Sequence, residues 1–446
     1  MPELDPTLGE DAVRHLAALI RIDTTNPPGN ETPAAEYLAE VLRASGLEPT
    51  LVGAEPSRQN VVARVKGTGE APPLLLASHL DVVPVEPERW RHPPFSGEIH
   101  DGYLWGRGAI DMKHMAVMSA LVACRLKAEG LHLRRDVIFV GVADEEAGCD
   151  LGSKWLVDHH PELVRAEFAL GEAGAFTVHL DGAVIYPIAV AERGAVWMKL
   201  RMHGKPGHGS LPRMENVVGR LGRAVDRLAR TRLPHHRTRV VERYLEIVSA
   251  TQRFPRNVLM RNLYVRRIAD SVIRKMPDRG IAGATWAMLS NTAVPTVLRA
   301  GSKTNVIPGV AEAEIDGRTL PDQTAADLVA EIRKVVEDEC EIEILRDMPP
   351  VETTPDSELF RICREAIERH HPGAVPAPYL MPGFTDAKSW SRLGCRSYGF
   401  MPVRFPDDGT RFGDLFHGHD ERIPVDGLKW GVEVLYDVVK RFACGP

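Results

Sequence analysis

Apolar residues recur at helical spacing over 9–20, where Val13, Leu16, Ala17 and Ile20 share a face, and a second helix is predicted over 33–44. Short apolar runs without alternation follow at 60–65, 74–77 and 137–143, with helical segments predicted at 115–129 and 153–159. A strand with no polar face is covered on both sides, so these runs predict a sheet sandwiched between helices. The pattern changes near Pro187. Strands are predicted at 195–202, 311–315 and 341–345, with helices at 215–228 and 324–337, which describes a small sheet with helices on one face. After Pro350 the αβ alternation returns, with helices over 357–370 and 425–442. The predicted fold is therefore α/β. A first domain of 1–187 and 349–446 is interrupted by an inserted α+β domain at 188–348. The stretch 233–301 fits neither domain cleanly. The flanking segment 220–239 holds seven arginines, which read as a solvated helix face.

Composition narrows the class. At 446 residues, 44% hydrophobic and 26% charged, the chain is neither disordered nor a membrane bundle. Lys and Arg number 55 against 61 Asp and Glu, a net charge of -6, so no basic surplus exists to hold nucleic acid. No window approaches the roughly 18 apolar residues of a membrane span, and the first residues carry acids where a signal peptide needs a basic stretch. A cytoplasmic protein with no membrane partner is expected. Cys124, Cys149, Cys340, Cys363, Cys395 and Cys444 are scattered, with no CxxC pair, and read as free thiols.

The candidate chemistry lies at the ends of the apolar runs, where open α/β sheets bind ligands. LLLASHLD places His79 and Asp81 there, two residues apart and able to share a side. Asp111 follows the glycine-flanked turn GRG and precedes a helix. The run VIFVGVADEE ends in Asp144, Glu145 and Glu146, three acids that repel one another unless a cation or solvent compensates them. Glu172 ends another run, and HGHDE supplies His417, His419, Asp420 and Glu421. His79, Asp111, Glu146, Glu172 and His417 make two histidines and three carboxylates without a thiolate. That set suits Zn²⁺, with Co²⁺ or Mn²⁺ able to substitute. Five ligands exceed the three that a single catalytic zinc takes, and match two metals sharing a carboxylate. No serine has glycine both two before and two after it, so the nucleophile elbow of a serine hydrolase is absent.

In the order TTNPPGN, HLDVVP, GRGAIDMK, ADEEAG, GEAG, GHGSLP, NVIP, DGRTLP, GFTDA and HGHDERI, the chain resembles the M20 family of dinuclear zinc hydrolases. That family includes aminoacylase, carboxypeptidase G, acetylornithine deacetylase and succinyl-diaminopimelate desuccinylase. The resemblance implies a mixed-sheet, zinc-exopeptidase-like catalytic domain with a ferredoxin-like lid and dimerisation domain. It implies that His79 and Glu172 hold one metal, Glu146 and His417 the other, and that Asp111 bridges them across a cis bond to Met112. Asp81 would orient His79, Glu145 would be the general base, and His208 would act from the lid at the site of a neighbouring subunit in a homodimer. Asn305, Arg318, Gly383 and Thr385 match the positions that receive the substrate's free carboxylate. The implied reaction is hydrolysis of an amide bond next to a free carboxylate, in an N-acyl amino acid or small peptide. The alternative is a metal-less binding or scaffold protein on the same fold. His114 departs from the small residue usual after D-M-K, with a place either in the metal cleft or facing solvent, and 233–301 is longer than the family's smaller lids.

Overall fold

Three adjacent parallel strands form the middle of the main sheet in the computed structural model: Val137–Val142, Leu74–His79 and Phe168–Gly171, with Leu74–His79 in the centre. The structure describes residues 6–276, 279–336 and 340–445. Beyond Val137–Val142 the sheet continues through the antiparallel strands Asn60–Val65 and Thr50–Val52. Beyond Phe168–Gly171 it continues through Arg396–Gly399, which is parallel, to Ala183–Glu192. The sheet is thus mixed, with a parallel centre.

Its central strands are buried along nearly their whole length because both faces carry helices. On one face Leu75, Ile138, Val140 and Val142 pack with Leu156 and Val157 of the Ser153–His159 helix and with Trp390 of Ala387–Ser391. The other face meets Lys113–Glu129, which in turn contacts the helices Pro6–Ile20 and Val425–Cys444. A helix in the middle of such a layer is buried all round. Lys113–Glu129 accordingly buries thirteen of its residues. By contacts the chain divides into two units, one of Met1–Val190, Thr353–Tyr379 and Thr385–Pro446, the other of Ala191–Glu352 and Leu380–Phe384.

The second unit is built on a four-stranded antiparallel sheet in the order Thr292–Ala300, Val310–Thr319, Gly194–His203, Glu341–Met348. Helices Val217–Arg230 and Ala325–Val336 supply its βαββαβ connectivity, the ferredoxin-like arrangement. Alternate residues of the central strands, including Met198, Leu200, Ala313 and Ile315, form the core with Leu221, Ala224, Leu328 and Ile332 of the helices. Within 233–301 lie the helices Arg239–Ala250, Arg256–Arg261, Arg266–Lys275 and Arg279–Leu289, followed by the edge strand Thr292–Ala300. That strand escapes a pattern reading because it is only partly buried and its register shifts between Pro295 and Val297. The predicted helix end at Glu337 and the acids Glu3 and Asp5 of the first residues lie outside the described residues.

Candidate active site

Because the three central strands run parallel and side by side, their carboxyl ends open along one edge of the sheet. His79 closes its strand, Glu145 and Glu146 follow Val142, and Glu172 follows Gly171. Asp111 enters from the turn before Lys113–Glu129, and His417 from the turn after Phe412–Leu415. His79 Nε2 lies 3.1 Å from Asp111 Oδ1 and 3.9 Å from Glu172 Oε2. His417 Nε2 lies 3.0 Å from Asp111 Oδ2 and 3.2 Å from Glu146 Oε2. Ligand atoms of His79, Asp111 and Glu146 fall within 4.8 Å of one another, as do those of His79, Glu145 and Glu172. The site residues flank left-handed backbone at Asp144, Ala173 and His417 (φ 66°, 75° and 57°), a conformation that costs non-glycine residues about 1 kcal/mol or more and clusters at functional sites.

The electrostatics call for a cation. His79 Nδ1 donates to the Asp81 carbonyl at 3.0 Å, which leaves Nε2 facing the acids. Only an added proton or a cation satisfies Nε2 and Asp111 together. Burial, and after it the charge of Glu172, pushes the Glu145 carboxyl well above its ordinary range. Burial and the charge of Asp111 push Glu146 up to about 7, and the same two causes raise Glu172 strongly. Burial opposes protonation of His417, but its bonds to Asp111 and Glu146 outweigh that and push it up to about 10. Glu146 Oε1 and Glu172 Oε2 are buried without a hydrogen-bond partner. Such crowding is costly in a protein without metal and is relieved by a bound divalent ion, so these residues fit one.

The Asp111 loop is held from behind by Glu421, a fully buried carboxylate. It accepts from Arg107 Nη1 (2.7 Å), Gly108 N (3.1 Å), Ile110 N (2.8 Å) and Asp111 N (3.1 Å). In that loop Gly106 has φ 151°, and a Cβ there would come within 2.3 Å of Ile20. The Asp111–Met112 peptide is cis. Lys113 turns inward, where Nζ donates to the carbonyls of Leu19 and Ile22. His114 does not face solvent: it is fully buried, neither ring nitrogen has a hydrogen-bond partner, and burial lowers its pKa to about 3. His419 is exposed.

On the second unit, His208 is exposed, with Nδ1 2.8 Å from Ser210 Oγ, and Gly209 N donates to the Asn305 carbonyl at 2.9 Å. His208 and Asn305 are thereby neighbours. Arg318 forms a fork with Asp316 (2.7 and 3.1 Å) and lies over the Phe384 ring, one residue from Gly383, while its Nη1 is buried without a partner. Thr385, on the first unit, is buried and its Oγ1 accepts from Ala387 N. Its neighbour Asp386 escaped the sequence reading. It is buried, burial raises it to about 6, and its Oδ1 has no partner. The signal was its place in GFTDA, one residue past the threonine that was read.

The Peptidase family M20/M25/M40 profile matches residues 75–441. The chain belongs to this peptidase family. Among the relatives of this M20 chain is the N-fatty-acyl-amino acid synthase/hydrolase PM20D1 of Xenopus tropicalis, 30% identical over 82% of this chain and 72% of the relative. Aminoacylase-1 of Sus scrofa is 27% identical over 96% of this chain and 94% of its own. The M20 metallo-carboxypeptidase Sso-CP2 from Sulfolobus solfataricus has the same fold, with a TM-score of 0.73 at 18% identity over 97% of this chain and 99% of that one. This M20 chain is a hydrolase with a metal-dependent site, as its motifs predicted.

The raised carboxyls set the sign of a pH effect. Burial and the charge of Asp111 hold Glu146 up at about 7 in the folded metal-free protein, above its ordinary carboxyl value, so folding takes up protons in the window between. The metal-free protein therefore loses stability as pH rises through 7, whereas bound metal displaces the same protons and binds more tightly there. The rise in Tm on adding Zn²⁺ should be several degrees larger at pH 8 than at pH 5.5. A metal-induced rise independent of pH would contradict the assignment of Glu146 as a ligand.

Proposed function

We propose that this protein hydrolyses the amide bond of N-acyl amino acids, beside the free carboxylate, using two Zn²⁺ ions per chain. The observation that carries the two-metal reading is the placement of Asp111, whose Oδ1 faces His79 and whose Oδ2 faces His417. Each half of a bridging carboxylate then has its own partners, Glu172 beside His79 and Glu146 beside His417. The bound metals would supply Lewis-acid polarisation and lower the pKa of water at the site. Glu145 takes the proton of the attacking water and passes it to the leaving amine, a role that requires it to stay free of the metals.

The names of the relatives, an N-fatty-acyl-amino acid hydrolase and an aminoacylase, support an N-acyl amino acid over a longer peptide. The carboxylate is assigned to Arg318, whose Nη1 is unpartnered and whose planar fork grips a carboxylate bidentately, and Asn305, Gly383 and Thr385 are assigned the same task. His208 is assigned to the developing oxyanion, supplied by the partner of a homodimer. The six free cysteines accord with a reducing, cytoplasmic setting. Among the described residues no helix is long and apolar enough to cross a membrane.

The test is release of free amine from N-acetyl amino acids, long-chain N-acyl amino acids and dipeptides, with metal content measured on the same protein. About two zinc per chain is expected, with N-acyl amino acids cleaved at least tenfold faster than dipeptides and all activity lost on chelation. No release from any of these, with metal near zero, would favour the scaffold alternative.

A further inference from the structure

Behind the acids, and ending on Asp81, lies a buried network of Asn26, Glu31, Arg58 and Asp144, none of which has a role above. Arg58 is 6% exposed and its neighbour Glu31 is fully buried. Arg58 grips Glu31 through Nε and through Nη2, the latter at 2.7 Å. The same Nη2 reaches Asp144 Oδ1 at 3.0 Å, and Nη1 donates to the Pro28 carbonyl at 3.0 Å. Asn26 Nδ2 donates to Asp144 Oδ1 (3.2 Å) and to Asp81 Oδ2 (2.9 Å). Asp81 then accepts the backbone N–H of Glu145 on Oδ1 (3.1 Å) and that of Glu146 on Oδ2 (3.0 Å). The ring closes on itself, because Asp144 precedes Glu145 in the chain. Asp144 also holds the far side of the turn by accepting from Leu151 N at 3.1 Å.

The loop TTNPPGN is shaped for this purpose. Gly29 has φ 83°, and a Cβ there would fall 2.1 Å from the Arg58 guanidinium carbon, so only glycine lets the turn wrap the arginine. Three carboxylates, Glu31, Asp144 and Asp81, are brought together with one guanidinium and one amide as donors. Removing either donor leaves buried acids uncompensated, and the two glutamates sit at the end of that chain of contacts.

We propose that Asn26 and Arg58 are positioning residues of this enzyme: acting through Asp144 and Asp81, they fix the Glu145–Glu146 backbone and the imidazole of His79. This rests on the reading of Glu145 as base and Glu146 as ligand. It assigns TTNPPGN a task in the reaction although the loop supplies none of the proposed ligands or bases.

The test compares wild type with Asn26→Ala, Asn26→Asp and Arg58→Lys in the zinc-loaded enzyme, and records the visible absorption of Co²⁺-substituted protein for each. Asn26→Ala should lower kcat by about 10- to 100-fold with KM within about twofold, and should alter the Co²⁺ bands. Asn26→Asp has the same size but replaces a donor with a fourth carboxylate, so it should lose more than the alanine variant. Arg58→Lys keeps the charge but cannot span Glu31 and Asp144 together, and should fall in the same range. The double variant Asn26→Ala with Arg58→Lys should lose less than the product of the two, since both act along one path. Folded variants with unchanged kcat and unchanged Co²⁺ bands would overturn the proposal, as would a loss confined to KM. If wild type cleaves no substrate, the reading of the function fails, and the Co²⁺ spectra still decide whether these residues position the ligands.

Discussion

Replacing Glu145 by glutamine lowers kcat by about 10² to 10⁴ while the metal content stays at its wild-type value. The substitution keeps the size of the side chain and removes only its ability to take a proton. Two adjacent glutamates at the end of Val137–Val142 have different surroundings. Glu146 Oε2 faces His417 Nε2, whereas Glu145 lies with His79 and Glu172 and makes no ion pair with His417. Glu145 lies within ligand distance of His79 and Glu172, so the metal content of the variant separates a base beside the metals from a ligand on them. Separate oxygens of Asp81 hold the two main-chain amides. A loss of this size is about 3 to 5 kcal/mol of transition-state stabilisation, in the range of a lost general base rather than a lost binding contact. Elemental analysis decides the matter. If Glu145→Gln loses half its metal, Glu145 is a ligand and the base must be sought elsewhere, with Asp386, buried and with an unpartnered Oδ1, the next candidate.

Three of the proposed ligands, His79, Glu146 and Glu172, were legible because they lie at the ends of apolar runs, and parallel neighbouring strands carry such ends to one edge. His79, Glu146 and Glu172 needed only the strand order to meet, and the buried pattern of Leu74–His79 and Val137–Val142 leaves little choice of order. Asn26, Glu31 and Arg58 were illegible for the opposite reason. They lie in loops and at a helix start, 55 residues separate Asn26 from Asp81, and a lone arginine in a polar stretch carries no periodicity. Only the fold shows that its guanidinium is enclosed. Segment 233–301 was opaque because its helices are short and rich in arginine, 6 residues in Arg256–Arg261 and 10 in Arg266–Lys275, so each offers too few turns for a repeat to establish itself. His114, which the sequence left either in the metal cleft or facing solvent, is buried on a helix buried all round and is kept neutral by that burial.

Mixing two inactive variants, His208→Ala and Glu145→Ala, restores activity. Each alone should fall by about 10² or more, the first through loss of an oxyanion partner and the second through loss of the base. If His208 serves the neighbouring subunit, a hybrid dimer has one site with both residues intact and one with neither. Random exchange makes half the dimers hybrid, so about a quarter of the wild-type activity should return. The lid is suited to such pairing. Its edge strand Thr292–Ala300 exposes Val294 (52%) and Leu298 (58%), an apolar edge that a second lid would cover and that a lone chain leaves open to aggregation. His208 sits on the exposed two-residue pairing of Gly207–His208 with Val306–Ile307, and Ser210 is its hydroxyl neighbour. Subunit exchange is verified by mass on differently tagged chains before activity is read. No recovery after proven exchange, or full wild-type activity from a species of monomeric mass, would place His208 in its own chain's site or outside catalysis.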